Sequence, residues 1–199
     1  MPAVKVDPTK VREFVDFAAF YEWLRENHAT ADEVWVKMHK VGSGLPSVTQ
    51  KEAIDAALCW GWIDGIRKGH DDRSFLQRFT PRRPKSVWSK INVQNVERLV
   101  AAGLMTEHGL RHVEAAKADG RWQNAYSGQQ GMELPEDLMA AIRADPRARA
   151  TFEKLNSQNR YALAFRLHQL KTEAGRRRKI ADFVAMLARG EALYPQRGL

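Results

Sequence analysis

From Thr9 to His28 the apolar residues Val11, Phe14, Val15, Phe17, Ala18, Tyr21 and Leu24 recur at spacings of three and four, which predicts an amphipathic helix. The next pattern has a different period. In EVWVKMHKV (33–41), Val34, Val36, Met38 and Lys40 alternate with Trp35, Lys37 and His39, as on the two faces of a strand. VGSGLPS (41–47) follows, with two glycines and a proline as breakers. Thr49-Gln50-Lys51-Glu52 has the form of a capping box, in which each end residue's side chain accepts from the other's backbone N–H. The helix it opens carries Ala53, Ile54, Ala57, Leu58 and Cys59, and Gly61 is placed to end it. Trp62 to Lys68 and Ser74 to Thr80 are then two short β-like runs, joined by a hairpin loop from Gly69 to Arg73.

Thr80-Pro81-Arg82-Arg83-Pro84 interrupts regular structure, because both prolines lack a donor and bias the preceding residue away from helix. The junction between two halves is placed here, giving an α+β domain at 1–84 and a helical region at 85–199 packed on it. Ser86 is the expected cap of a helix through Ala102, with Trp88, Ile91, Leu99 and Val100 near one face. Thr106 starts another that stops at Gly120. Pro135 and the Asp145-Pro146 pair mark further helix starts. Ser157 and Thr172 are expected to cap the last two helices, an αα-hairpin closed by Gly190. QNAYSGQQGME (123–133) is the most loop-like stretch and is expected to be mobile. The fold class predicted is α+β: a small antiparallel sheet with helices, then an all-helical C-terminal half. The helices between Ser86 and Gly120 are expected to pack against the sheet.

Composition sharpens the class. At 199 residues and 44% hydrophobic, the chain is long enough for one domain or two small ones with a packed core. No run approaches the roughly 18 apolar residues of a membrane helix. The N-terminal MPAVKVDPTK lacks the apolar core of a secretory signal, and one cysteine excludes an internal disulfide framework. A soluble cytoplasmic protein is the expectation. The net charge of +8 is uneven: residues 1–84 carry 13 basic and 12 acidic side chains, and residues 85–199 carry 19 and 12. Such a basic half suits an anionic partner (protein, nucleotide, nucleic acid or lipid), or it serves solubility alone.

Several residues invite chemistry and then fall short of it. His108 and His112 share a helix face at i, i+4, as zinc ligands do, but an HExxH glutamate and a third ligand are missing. His70, Asp71 and Asp72 are consecutive and read as a solvated turn. Cys59 sits at an apolar helix end, where it acts as a small hydrophobe more readily than as a thiolate. The chain has no GxSxG, Walker A or dinucleotide fingerprint. No catalytic residue, metal or cofactor is therefore expected. Arg176-Arg177-Arg178-Lys179 opens the last helix, where the macrodipole disfavours cations. Helical residues fan out by about 100° each, so these four read as solvated or salt-bridged side chains.

One stretch keeps more promise. Residues 61–92 read GWIDGIRKGHDDRSFLQRFTPRRPKSVWSKIN, with eight Lys or Arg from Arg67 to Lys90 and the aromatics Trp62, Phe75, Phe79 and Trp88. Strand alternation puts Arg78 and Thr80 on one face, and Gln77 and Phe79 on the other. Guanidinium groups, hydroxyls and an indole face suit a phosphorylated or aromatic anionic ligand. The candidate ligand-binding residues are Asp64, Arg78, Thr80, Arg82, Arg83, Lys85, Ser86, Trp88, Ser89 and Asn92. The competing reading is structural: Trp62 and Trp88 anchor the two halves, and the arginines bond loop carbonyls.

Three segments of the first 122 residues resemble the YdeI/OmpD-associated, bacteriocin-protection family: ALCWGWIDG (57–65), SFLQRFTPRRPKSVWSKIN (74–92) and GLRHVEAAKADGRW (109–122). FEKLNSQNRYALAFRLHQLKTEAGRRRKIADFVAMLARGE (152–191) resembles its helical OmdA-type domain, departing at LKTEAG, where many relatives carry a proline. The resemblance implies a bacterial, cytoplasmic protein associated with stress tolerance and with protection against bacteriocins or cationic peptides. It transfers no catalytic residue. A basic protein repels cationic peptides, so the charge suits an indirect role through an anionic partner. The functional expectation is a non-enzymatic accessory protein. Its alternatives are a nucleic-acid-binding module, or a small-anion binder or enzyme built on residues 62–92.

Overall fold

The computed structural model describes residues 4–128 and 131–199. Two residues of the 123–133 loop, 129 and 130, lie outside the described residues. The architecture is mixed α+β. Backbone packing divides the chain into two compact units, Met1–Ala125 and Tyr126–Leu199.

The first unit opens differently from the helix expected over Thr9–His28. Asp7 caps a 3-10 turn at Pro8–Lys10, which leads into a short strand, β1 (Val11–Glu13). Helix α1 (Phe17–Asn27) starts only after Asp16, whose carboxylate accepts from the Ala19 N–H. The apolar spacing of Val11 and Val15 fits a helix by coincidence: Val11 pairs with Trp35 in the sheet, and Val15 is 63% exposed.

Strand β2 (Val34–His39) is followed by α2 (Gln50–Cys59), which carries the capping box foreseen at Thr49 and Glu52. The hairpin β3 (Trp62–Gly69) and β4 (Ser74–Pro81) completes a sheet of order β1-β2-β4-β3. β2 pairs antiparallel with β4, and β4 with β3, across an irregularity between Asp64 and Arg67. β1 runs parallel to β2. The sheet is therefore mixed, a correction to the antiparallel expectation. The cause is the connection: α1 carries the chain back across the sheet, so β2 starts from the same end as β1.

One sheet face is buried by α1 and α2, through Phe20, Leu24, Val36, Ala53, Ala57, Trp62 and Phe79. Helices α3 (Lys90–Ala101) and α4 (Glu107–Ala118) pack on the other side of α2, around Leu58, Cys59, Trp88, Val96, Leu99 and Val113. Their core is shared with α2 and not with sheet residues. Helix α2 is buried on two sides, and it separates Trp62 (1% exposed) in one cluster from Trp88 (2% exposed) in the other. Ser89 caps α3, in place of the expected Ser86. Ile91 and Val100 face solvent, whereas Val96 and Leu99 are buried.

The start of α4 is fastened to the end of α2. The last carbonyls of a helix lack partners within it. Here the Cys59 carbonyl accepts from the Thr106 hydroxyl at 2.6 Å and from the Thr106 N–H at 3.2 Å. Gly109 permits the approach, since a Cβ there would lie 2.5 Å from the Cys59 carbonyl oxygen.

In the second unit, α5 (Glu136–Ala144), α6 (Pro146–Lys154), α7 (Ser157–His168) and α8 (Glu173–Ala188) bury Leu138, Ile142, Phe152, Leu163, Leu167, Phe183 and Leu187. Asp145 caps α6 with Pro146 at its first position, and Thr172 caps α8. Asn156, one residue before the expected Ser157, caps α7. No helix of the described residues is long and apolar enough to cross a membrane.

Candidate functional site

The loop between β4 and α3 is fixed from beneath. As the chain leaves the sheet, the Arg82 N–H donates to the Gly61 carbonyl at 2.9 Å. The Arg82 side chain turns inward and is only 4% exposed. Its Nη1 donates to the Val87 carbonyl at 3.1 Å, and its guanidinium lies 3.8 Å from the Trp88 ring centre. A buried cation is tolerated when carbonyls and a π face replace its lost water. Trp88 meets Trp122 edge-on at 4.9 Å. Arg121, held by Asp119, donates from Nη1 to the Ser86 carbonyl at 2.7 Å. The Ser89 hydroxyl accepts from the Asn92 N–H at 3.1 Å and so caps α3.

On this base the eight cations of residues 67–90 fall into two groups. Arg67 donates to the Gln50 side chain and lies over Phe75. Lys68 donates to the Val4 carbonyl, Arg73 to the Ser43 carbonyl and Arg78 to the Glu33 carboxylate. Arg82 is held as described. The remaining three, Arg83, Lys85 and Lys90, are exposed, and no carboxylate or carbonyl among the described residues engages them. All three lie within eight residues of one another along the braced segment, with Val87 (40% exposed) and Ile91 (59% exposed) between and beside them.

The expected site residues thus occupy distinct places. Arg82 contacts Trp88, and Ser89 contacts Asn92. Arg83 and Lys85 are on the outer margin, and Ser86 is half-buried with its carbonyl on Arg121. Arg78 and Thr80 alternate with buried Gln77 and Phe79 on β4, and Arg78 is paired with Glu33. Asp64 is half-buried across from Phe79. Burial pushes its carboxyl above the ordinary value, and the nearby Arg82 guanidinium only partly offsets this. Three participants were outside the expected set. Lys90 is the first helical residue after a serine cap, and Arg121 and Trp122 come from the end of α4, adjacent to the loop only in the folded chain.

Cys59, the α4 histidines and the cations at the start of α8 lie outside this loop. Cys59 is fully buried, and burial first, then the Asp55 carboxylate, pushes its thiol up to about 12. His108 and His112 lie on α4, and no group of three His, Cys, Asp or Glu among the described residues is arranged to hold a metal. In the run at the start of α8, Arg176 is bidentate on Asp137, Arg177 lies 3.4 Å from Glu173 and Lys179 lies 3.3 Å from Asp182.

Two family models match the chain. Residues 12–112, about half of it, match the one described as Domain of unknown function (DUF8412). Residues 131–190 match the one described as Bacteriocin-protection, YdeI or OmpD-Associated (OmdA). No curated protein and no solved structure matches.

Proposed function

From the premise that the chain belongs to the YdeI/OmpD-associated family, with its first half in the DUF8412 domain, we propose that it serves bacteriocin protection as a binding protein engaging an anionic partner. The contact surface in this reading is the margin formed by Arg83, Lys85 and Lys90. One observation carries it. Of the eight cations in the most basic stretch, five are held by the protein's own groups, and the three that are not occupy one braced loop and helix start. Braced cations lose little conformational freedom on meeting an anion, so more of the interaction is retained as affinity. The Arg82–Trp88 and Arg121–Ser86 contacts supply the bracing.

The test is complementation. A host strain lacking the gene is given the wild-type chain, R83E/K85E/K90E, or Arg73→Glu as an engaged-cation control, and challenged with a bacteriocin active on that strain. Wild type restores tolerance, and so does the control. The triple variant, folding with an unchanged Tm, does not. Full protection by the triple variant would remove the proposal.

A further inference from the structure

Helix α4 faces the end of α1 across a cleft of about 310 Å³, with Gly61 in its lining. Its lining includes His28, Trp60, His108, Arg111 and His112. No carboxylate is among the lining residues. The aromatic walls are prearranged: His28 lies 4.1 Å from His108 and 4.7 Å from Trp60, and the Trp60 and His108 rings are near parallel at 22°. The Leu24 carbonyl lies 3.0 Å from His28 Nδ1 and holds that ring in place. Gly61 forms part of the floor with φ +74, and a Cβ there would meet His112 Cδ2 at 2.7 Å. Arg111 is exposed, and no carboxylate among the described residues pairs with it.

From this geometry we infer that the cleft binds a small planar anion, an aromatic carboxylate, with its ring against Trp60 and His108 and its acid group toward Arg111. The volume, at the lower end for small-molecule sites, fits a single-ring ligand. A guanidinium matches a carboxylate in two parallel hydrogen bonds, and the packed rings of His28, Trp60 and His108 form one aromatic wall against which a single ring can lie. The electrostatics agree. Burial, and then the guanidinium groups of Arg82, Arg111 and Arg121, hold His112 below its ordinary value, so the floor lies in a positive field while that imidazole stays neutral. The Glu107 carboxylate lies 3.6 Å from His108 Nε2 but is 84% exposed, where solvent screens it. This site is independent of the margin at Arg83, Lys85 and Lys90.

Benzoate, with benzyl alcohol and benzylamine as neutral and cationic counterparts, is titrated against the full chain by calorimetry and thermal shift. The inference expects benzoate to bind and raise Tm, and benzyl alcohol to bind about tenfold more weakly or less, a difference of about 1.4 kcal/mol. Benzylamine is expected not to bind. Arg111→Gln, at an exposed position, should lose the preference for benzoate while keeping the wild-type Tm. Trp60→Leu should weaken benzoate and benzyl alcohol alike, and R83E/K85E/K90E should bind benzoate as wild type does. Equal binding of the three probes, absence of benzoate binding at millimolar concentration, or benzoate binding indifferent to Arg111→Gln would each overturn it.

Discussion

Gly61 shows how one residue sets the position of several others. Its φ of +74 lets the chain turn from α2 into β3, and its missing side chain admits the His112 ring. Gly61→Ala should therefore cost about 3 kcal/mol or more, combining left-handed strain with a clash that neither His112 nor the His108 carbonyl can relieve. Gly42 has a similar φ but open space around the added atom, so Gly42→Ala should cost only about 1–2 kcal/mol. Urea denaturation of the two variants measures the difference, and equal losses would show that the close approach to α4 is unimportant. Asp64 offers a second reading at this scale. Its folded-state pKa lies above the unfolded value of 3.8, so the unfolded chain releases its proton first as pH rises. The ionised carboxylate then draws the equilibrium toward unfolding, beginning near pH 3.8 and reaching its full effect above the folded pKa. Asp64→Asn should raise Tm at pH 7 and leave it unchanged below pH 3.8. A lower Tm at pH 7 would mean that the carboxylate's attraction to Arg82 outweighs its burial.

At the scale of elements, the caps are what local sequence records best. As caps, Thr49–Glu52, Thr106, Asp145-Pro146 and Thr172 act within three residues of themselves and were legible without a fold, whereas the bond from Thr106 to the distant Cys59 carbonyl was not. Strand β1 was not, because its pairing with β2 is remote and its apolar residues also fit a helical period. The start of α3 was misplaced for a related reason. Ser86 and Ser89 are equivalent as caps by sequence; in the folded chain Trp88, between them, packs on Arg82 and Trp122, and the second serine caps α3. The second unit uses a comparable long-range fastener at Asn159, which is 1% exposed. Its amide nitrogen donates to the Tyr194 carbonyl and to Gln196 Oε1, and its oxygen accepts from the Tyr194 N–H at 2.9 Å. Asn159→Ala should cost about 1–3 kcal/mol, since it removes three hydrogen bonds between the buried Asn159 side chain and the C-terminal segment. Hydrogen exchange at the Tyr194 amide should accelerate more than at α5 amides. Uniform acceleration across the unit would show that Asn159 supports global stability and not this attachment.

For the molecule as a whole, the basic character of the sequence overstated the charge available to a partner. Composition shows eight cations in residues 67–90, but which of them remain unengaged depends on Glu33, on Gln50 and on carbonyls brought near by folding. Arg82 was the least legible, because guanidinium groups are usually solvated and this one lies inside. The sequence marked this stretch as basic and aromatic, while the division of labour between bracing and exposed cations emerged only in three dimensions. The most direct measurement of that division is the salt dependence of binding to an anionic probe, a mixed-sequence oligonucleotide in one series and vesicles rich in anionic lipid in another. Anions bound through exposed cations release counterions, so log K falls linearly with log salt and the slope counts the contacts. The account predicts a measurable slope for wild type with at least one probe, shallower by about two to three contacts in R83E/K85E/K90E and unchanged in Arg73→Glu. The same slope in wild type and the triple variant, or no binding to either probe at low salt, would contradict it.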